Sequence, residues 1–253
     1  MQLVDSHAHV DFPQFDDDRG AVIERAREAG LVAIVNIGTT LASSRASVAL
    51  AEQYELIYAA VGIHPHDARW ADRGALDELR GLAHHPKVVA IGETGLDYYR
   101  DYSPRPAQRR SFRNQLALAS ALGLPVVVHS RDAHEDVLAT LRDWGGTGVL
   151  HTYAGGPEHL NQVMEMGFSI GISGPVTFAD ADRLREAVSA VPSDRLLLET
   201  DCPYLAPEPH QGKRNEPAYV RYVAEAVARA RWEPVDQVAD AATENTLRLF
   251  GFQ

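Results

Sequence analysis

The stretch QLVDSHAHV (residues 2–10) decides how this chain is read. An apolar start runs into His7 and His9, and because side chains two apart on a strand share a face, both imidazoles address one volume. A doubly wound nucleotide-binding sheet carries a glycine-rich turn after its first strand. Here histidines stand in that place.

Working outward, short β-branched runs recur at 31–38, 56–64, 88–95, 125–131, 148–153, 168–173 and 196–201. Between them, residues 19–29, 43–53, 75–83, 106–122, 134–144, 157–166, 180–190 and 217–231 carry apolar residues at three- and four-residue spacing, as crossover helices do. Gly30, Gly123, Gly145 and Gly167 stand where helices should close. Eight β-then-α units predict a (β/α)8 TIM barrel, an α/β fold with a parallel eight-stranded sheet, in one domain spanning 1–253. An extra C-terminal helix, about 235–250, is expected to pack outside. A doubly wound open sheet is the competing reading, and it usually has fewer strands.

Composition narrows the class. Hydrophobic residues make up 45 % of the 253, enough for a large core, yet no run approaches the roughly 18 consecutive apolar residues of a membrane span. No membrane association is expected. The start lacks the pattern of a secretory signal, and the single cysteine, Cys202, cannot form an intrachain disulfide, so a cytoplasmic protein is expected. A net charge of −11 argues against a broad basic surface for duplex nucleic acid. It leaves open a pocket in which divalent ions and a few arginines hold one phosphate.

In a barrel of this kind the active site lies at the C-terminal ends of the strands. Those ends carry His7 and His9 (first strand), His64 (third), Glu93 (fourth), His129 (fifth), His151 (sixth) and Asp201 (eighth). A single histidine at a strand end is commonly a hydrogen-bonded structural residue. Four imidazoles and two carboxylates at one mouth, His7, His9, His129, His151, Glu93 and Asp201, are costly to bury without a cation. They also exceed the usual three protein ligands of one catalytic zinc, so two divalent ions (Mg, Mn or Zn) are expected, with Glu93 offering one oxygen to each. His84, His85, His134 and His159 fall in helical segments or at their ends and are expected to be solvated. His66 and His210 lie in loops that can reach the mouth, and Cys202 reads as a packing residue.

These residues resemble the TatD family of metal-dependent deoxyribonucleases, within the amidohydrolase-like metal hydrolases. The resemblance rests on DSHAHVDF (5–12), VGIHPH (61–66), IGETGLDYY (91–99), PVVVHSRDA (125–133), LHTYAGG (150–156) and LLLETDCPYLAP (196–207) followed by GKRNEPAYV. It implies one ion on His7, His9 and Asp201, a second on His129 and His151, and Glu93 between them. Related amidohydrolases bridge with a carboxylated lysine, and no lysine stands at the end of the fourth strand. One departure is visible: the family often has His-Cys-Phe-Ser-Gly after strand six, where this chain has His151-Thr152-Tyr153-Ala154-Gly155.

The expected activity is hydrolysis of phosphodiesters, from the 3′ end of single-stranded or frayed DNA, by a metal-activated water, with DNA repair or degradation as the setting the family suggests. Asp201 is the candidate to orient or deprotonate that water, and His64 the candidate donor to the phosphate or leaving oxygen. Arg131 is a candidate phosphate clamp or, equally, a partner of Asp132 or Glu135. Asp97 can support a ligand histidine. Lys213, Arg214 and Asn215, in a Pro- and Gly-rich loop, are candidate backbone contacts or the solvated charges of an ordered loop, and Tyr98 and Tyr99 can stack a terminal base or, equally, one of them packs. A metal-dependent amide or ester hydrolase, including one acting on aminoacyl-tRNA, and a non-catalytic metal-binding scaffold are the alternatives. No oligomeric state follows; a monomer is compatible.

Overall fold

Eight strands pair in the order of the chain, β1 (Leu3–Ala8), β2 (Leu31–Ile37), β3 (Ile57–Val61), β4 (Val88–Asp97), β5 (Val126–Arg131), β6 (Gly148–Leu150), β7 (Ser169–Ile172) and β8 (Leu196–Leu198). Every neighbouring pair is parallel. Parallel neighbours need a crossover each time, and the helices supply it: α1 (Arg19–Glu28), α2 (Leu41–Gln53), α3 (Arg73–Leu82), α4 (Arg105–Leu122), α5 (His134–Trp144), α6 (Pro157–Glu165) and α7 (Asp182–Ala190). After β8 come α8 (Val220–Arg231) and α9 (Val235–Phe250). This computed structural model describes residues 1–252; Gln253, the last residue of the expected domain, lies outside the described residues. No helix among the described residues is long and apolar enough to cross a membrane.

The sheet closes at its functional end. Ala8 bridges Cys202 in parallel, the Asp201 amide donates to the His7 carbonyl at 2.9 Å, and the His9 amide donates to the Cys202 carbonyl at 2.9 Å. The first and last strands therefore meet at the residues flanking His7, His9 and Asp201.

Strand periodicity divides the core. Ile34, Val126, Val128, Leu196 and Leu198 belong to the cluster shared with the helices. Val35, Ile37, Val127, Val149 and Leu197 form a separate inner cluster. Phe250 joins that inner cluster, and Phe252 stacks on Tyr58 with ring centroids 4.1 Å apart. The last helix thus does more than pack outside, because its end plugs the barrel interior.

Local rules set the boundaries. The Thr40 hydroxyl accepts from the Ser43 amide at 3.1 Å to cap α2, and the Asp72 carboxylate accepts from the Ala75 amide at 2.9 Å to cap α3. Gly30, Gly123, Gly145 and Gly167 all take the left-handed backbone that ends a helix. Strands β6 and β8 are shorter than the apolar runs suggest. They end at Leu150 and Leu198, which leaves His151 and Asp201 beyond their strands, and Thr152 (φ 42°) and Asp201 (φ 57°) then turn left-handed. In β4, Gly95 sits at φ 134°, and a Cβ there would fall 2.1 Å from the His129 carbonyl oxygen, so only glycine lets β4 approach β5 past the irregularity after Ile91.

Candidate metal centre

The strand ends bring the six expected donors together, and five of them, His9, Glu93, His129, His151 and Asp201, line a cavity of about 710 Å³. In one set, His7 Nε2 lies 3.2 Å from His9 Nε2, 3.6 Å from Asp201 Oδ1 and 3.4 Å from Glu93 Oε2. His9 Nε2 lies 3.5 Å from Asp201 Oδ1 and 3.7 Å from Glu93 Oε2. In the other set, Glu93 Oε1 lies 2.9 Å from both His129 Nδ1 and His151 Nε2, which are 3.3 Å from each other. The two sets share Glu93, one oxygen in each, and the His7 and His151 rings stack 3.9 Å apart.

The separations in the first set are near those around a divalent ion. Nitrogen and oxygen donors about 2.0–2.1 Å from a tetrahedral centre stand ~3.3 Å from one another, close to the edges of the first set. The second set is contracted toward direct hydrogen-bond distance. Buried ring nitrogens facing each other at 3.2 Å share one axis, which a cation satisfies better than a single proton.

Tautomers sort the histidines. His9 Nδ1 donates to the Ile37 carbonyl at 2.9 Å, so in the neutral ring the lone pair sits on Nε2, inside the first set. His129 Nε2 lies 3.2 Å from Asp97 Oδ2, which places its hydrogen there and leaves Nδ1 for the second set. His64 is the reverse. Its Nδ1 accepts the His66 amide hydrogen at 3.1 Å, so Nε2 carries the hydrogen and points it at Glu93 Oε1, 3.3 Å away. Distance alone groups His64 with Glu93 and His129 as metal donors. Hydrogen-bond chemistry makes it a donor of a proton-bearing nitrogen instead.

The electrostatics follow from burial and neighbours. Burial pushes the Glu93 carboxyl up, but His151, His64 and His129 outweigh it and hold the group well below the ordinary glutamate range. Asp201 is likewise held below its ordinary value by His9, His7 and His151 against burial. Burial drives His64 down to about 4, a neutral ring. Burial opposes a proton on His9 and His129 as well, yet their carboxylate neighbours win and bring each to about 9.

A further layer escaped the reading of the sequence. Glu199, fully buried, accepts from the Thr152 amide and hydroxyl, and its Oε1 lies 3.8 Å from His151 Nδ1, a buried nitrogen with no hydrogen-bond partner among the described residues. Burial pushes the Glu199 carboxyl up to about 7 and Asp5, behind His7, to about 8. Asp5 accepts from the Thr200 amide and hydroxyl at 2.9 and 2.6 Å. Both acids lie two residues before a metal-site donor on a strand or its extension, and that spacing was the available signal. Phe12, Arg100, Tyr102 and Tyr204, which also line the cavity, carried no such signal.

Among the expected substrate contacts, His64 and Arg131 line the cavity, and His66 does so as well, 2.8 Å from Asp97 Oδ2. Arg131 pairs with neither Asp132 nor Glu135; its guanidinium lies over the Tyr99 ring at 4.0 Å. Tyr98 is corrected. Its hydroxyl donates to Asp136 at 2.6 Å and accepts from Arg109 at 2.8 Å, which ties it to α5 and α4 and away from the cavity lining.

Asn215 is buried, its amide donating to the Thr200 and Tyr204 carbonyls at 2.9 and 2.7 Å, so it fastens the loop after β8. Arg214 is bound to both Asp18 oxygens at 2.8 and 2.7 Å, and Lys213 is exposed; neither lines the cavity. His210 stacks on Tyr219 at 4.0 Å and does not line it either. His134, expected to be solvated, is half-buried, with Nδ1 3.0 Å from the Ser130 hydroxyl and its ring 5.0 Å from that of His159. Cys202 is buried, and burial pushes its thiol up. Ala154, where the family often has serine, lines the cavity with no hydroxyl to offer.

The comparisons with known proteins agree with this geometry. The family model TatD related DNase matches residues 4–251. Over 251 residues the chain is 44 % identical to a Bacillus subtilis (strain 168) protein named Uncharacterized metal-dependent hydrolase YabD, covering 98 % of each. Over 260 residues it is 39 % identical to the protein named 3'-5' ssDNA/RNA exonuclease TatD of Enterobacter lignolyticus (strain SCF1), covering 98 % of this chain and 99 % of that one. The crystal structure of YJJV, a TatD homolog from Escherichia coli K12, matches with a TM-score of 0.94 at 33 % identity, covering 99 % of this chain and 98 % of that one. With a family match over almost its whole length and the donor sets in place, the chain belongs to the TatD-related DNase family of metal-dependent hydrolases.

Proposed function

We propose that the protein is a metal-dependent 3′–5′ exonuclease that removes nucleotides from single-stranded or frayed DNA ends with two divalent ions. The observation that carries this reading is Glu93, whose two oxygens serve two separate donor sets in one open cavity. The relatives named as 3'-5' ssDNA/RNA exonucleases supply the direction of digestion.

His7, His9, Asp201 and Glu93 would hold one ion, and Glu93, His129 and His151 the other. Magnesium, manganese or zinc bound there lowers the pKa of water and neutralises charge on the phosphate oxygens. The residues do the rest. Asp201, held ionised by the rings beside it, takes the proton of the attacking water. His64, fixed with its hydrogen on Nε2, donates to a non-bridging or leaving oxygen of the phosphate. Asp97 locks His129 from behind, and Arg131 adds a guanidinium at the rim. We place the protein in the cytoplasm, where its buried Cys202 stays a thiol.

The test is a metal-reconstitution series on 3′- and 5′-labelled single- and double-stranded oligonucleotides, with Asp201→Asn alongside. Loss of the 3′ label first from single strands, and its suppression in the variant, is expected. Release from the 5′ end overturns the polarity. Hydrolysis of carboxylic esters with none of DNA overturns the substrate class.

A further inference from the structure

Two arginines in the cavity lining, Arg100 and Arg131, are its only lysine or arginine residues. Their guanidinium groups flank one ring: Arg131 Cζ lies 4.0 Å and Arg100 Cζ 5.2 Å from the Tyr99 centroid. Among the described residues neither guanidinium has a carboxylate partner, whereas nearby Arg105 and Arg109 are tied to Asp101 and Asp136. In a chain of net charge −11, two exposed guanidinium groups in a cavity lining, without a carboxylate partner among the described residues, form a site matched to phosphate.

The mounting is rigid. Asp97 Oδ1 accepts from the Tyr99 and Arg100 amides at 3.0 and 2.8 Å, and the same carboxylate's Oδ2 faces His129 and His66. Arg131 pairs with Asp97 across β4 and β5, and its carbonyl accepts the Tyr98 amide at 2.9 Å. One carboxylate therefore fixes the distance between the metal site and this rim. Tyr102, half exposed and edge-on to His66 at 4.7 Å, lines the cavity beside it. The wall formed by Phe12, Tyr204 and Asp201 carries no cation.

An exonuclease substrate is asymmetric in charge. Only the scissile phosphate sits between the departing nucleoside and the rest, and every other phosphate lies on the undigested side. Resting on the nuclease reading above, we infer that Arg100 and Arg131, held about Tyr99, bind the first phosphate of the undigested strand, so that the strand leaves the cavity over the ends of β4 and β5.

An unphosphorylated dinucleotide carries the scissile phosphate alone, and a trinucleotide adds the one this subsite would take. The metal-loaded protein should therefore prefer trinucleotide to dinucleotide in kcat/KM. Arg100→Ala and Arg131→Ala should each reduce that preference about tenfold, the scale of one charge-assisted contact. Each should also flatten the salt dependence of binding to a longer single strand by about 0.7 in log–log slope. Tyr99→Phe should retain the preference and Tyr99→Ala lose it, since the ring and not the hydroxyl mounts the arginines. All three side chains are exposed, so folding is not at stake.

An unchanged preference in the arginine variants, or an equal loss on both substrates, overturns the subsite. Binding of phosphorothioate oligonucleotides, followed by fluorescence anisotropy, separates this from the nuclease reading. If affinity rises with length and falls in the variants while no oligonucleotide is cleaved, the subsite stands and the exonuclease reading falls; if cleavage proceeds with affinity independent of length, the subsite falls alone.

Discussion

The amide of His66 donates to Nδ1 of His64 at 3.1 Å, and that bond separates His64 from the histidines that can hold metal. A ring whose Nε2 carries hydrogen donates; it does not ligate. His64→Gln should keep the full metal content and lower kcat by about 100-fold, the usual effect of losing one preorganised donor. Metal analysis beside steady-state kinetics checks it. Loss of an ion in the variant would show that His64 is a ligand.

Glu93 contributes to both donor sets, so Glu93→Gln should weaken both ions, whereas His151→Ala should weaken one. Stoichiometry by elemental analysis distinguishes the two. Stability should follow, because an ion at 100 times its Kd adds about 2.7 kcal/mol, and for a chain of this size that is roughly 5–10 °C in Tm. Chelation of the parent should lower Tm by that amount per ion, and Glu93→Gln should lose most of the response.

Glu199 stands behind His151, its Oε1 3.8 Å from the unpartnered Nδ1. A carboxylate behind a ligand histidine raises its basicity and fixes its orientation. Glu199→Gln should reduce affinity at the His129–His151 set about 10- to 100-fold and leave the His7–His9 set unchanged. Titration calorimetry resolving the two sites decides it, and equal weakening of both would assign Glu199 to general packing.

His134 gives a pH dependence outside the metal site. Burial, reinforced by His159, lowers it from 6.5 to about 4. Between those values the unfolded chain takes up a proton that the folded chain refuses, so the stability contributed above pH 6.5 is lost as pH falls toward 4. Replacing His134 with glutamine should flatten chemical-denaturation stability over that window. An unaltered slope would place the acid sensitivity in other groups.

The barrel and the donors of its mouth were legible because both follow from periodicity. Period two puts His7 and His9 on one face, and repeated β-then-α units put the ends of the strands that precede His151 and Asp201 at the same mouth as His7, His129 and Glu93. Asp5 and Glu199 were not legible. Their spacing, two residues before His7 and Asp201, puts each on the face of a donor but does not say which partners it meets, and only the packing of Thr152 and Thr200 against these two shows what they support.

The loop after β8 shows the opposite failure. Lys213, Arg214 and Asn215 have the composition of a substrate contact, but hydrogen bonds to Asp18 and to the Thr200 and Tyr204 carbonyls spend the polar groups of Arg214 and Asn215 on holding the loop. Arg100 and Arg131, equally polar, have no carboxylate partner among the described residues and lie against Tyr99 instead. The sequence by itself determined the order of strands and helices and which side chains share a face, since these depend on local backbone geometry. Tertiary structure decided that Arg214, Asn215, His9 and His129 are already satisfied, because their partners, Asp18, the Thr200 carbonyl, the Ile37 carbonyl and Asp97, come from distant parts of the chain that the closed barrel brings together.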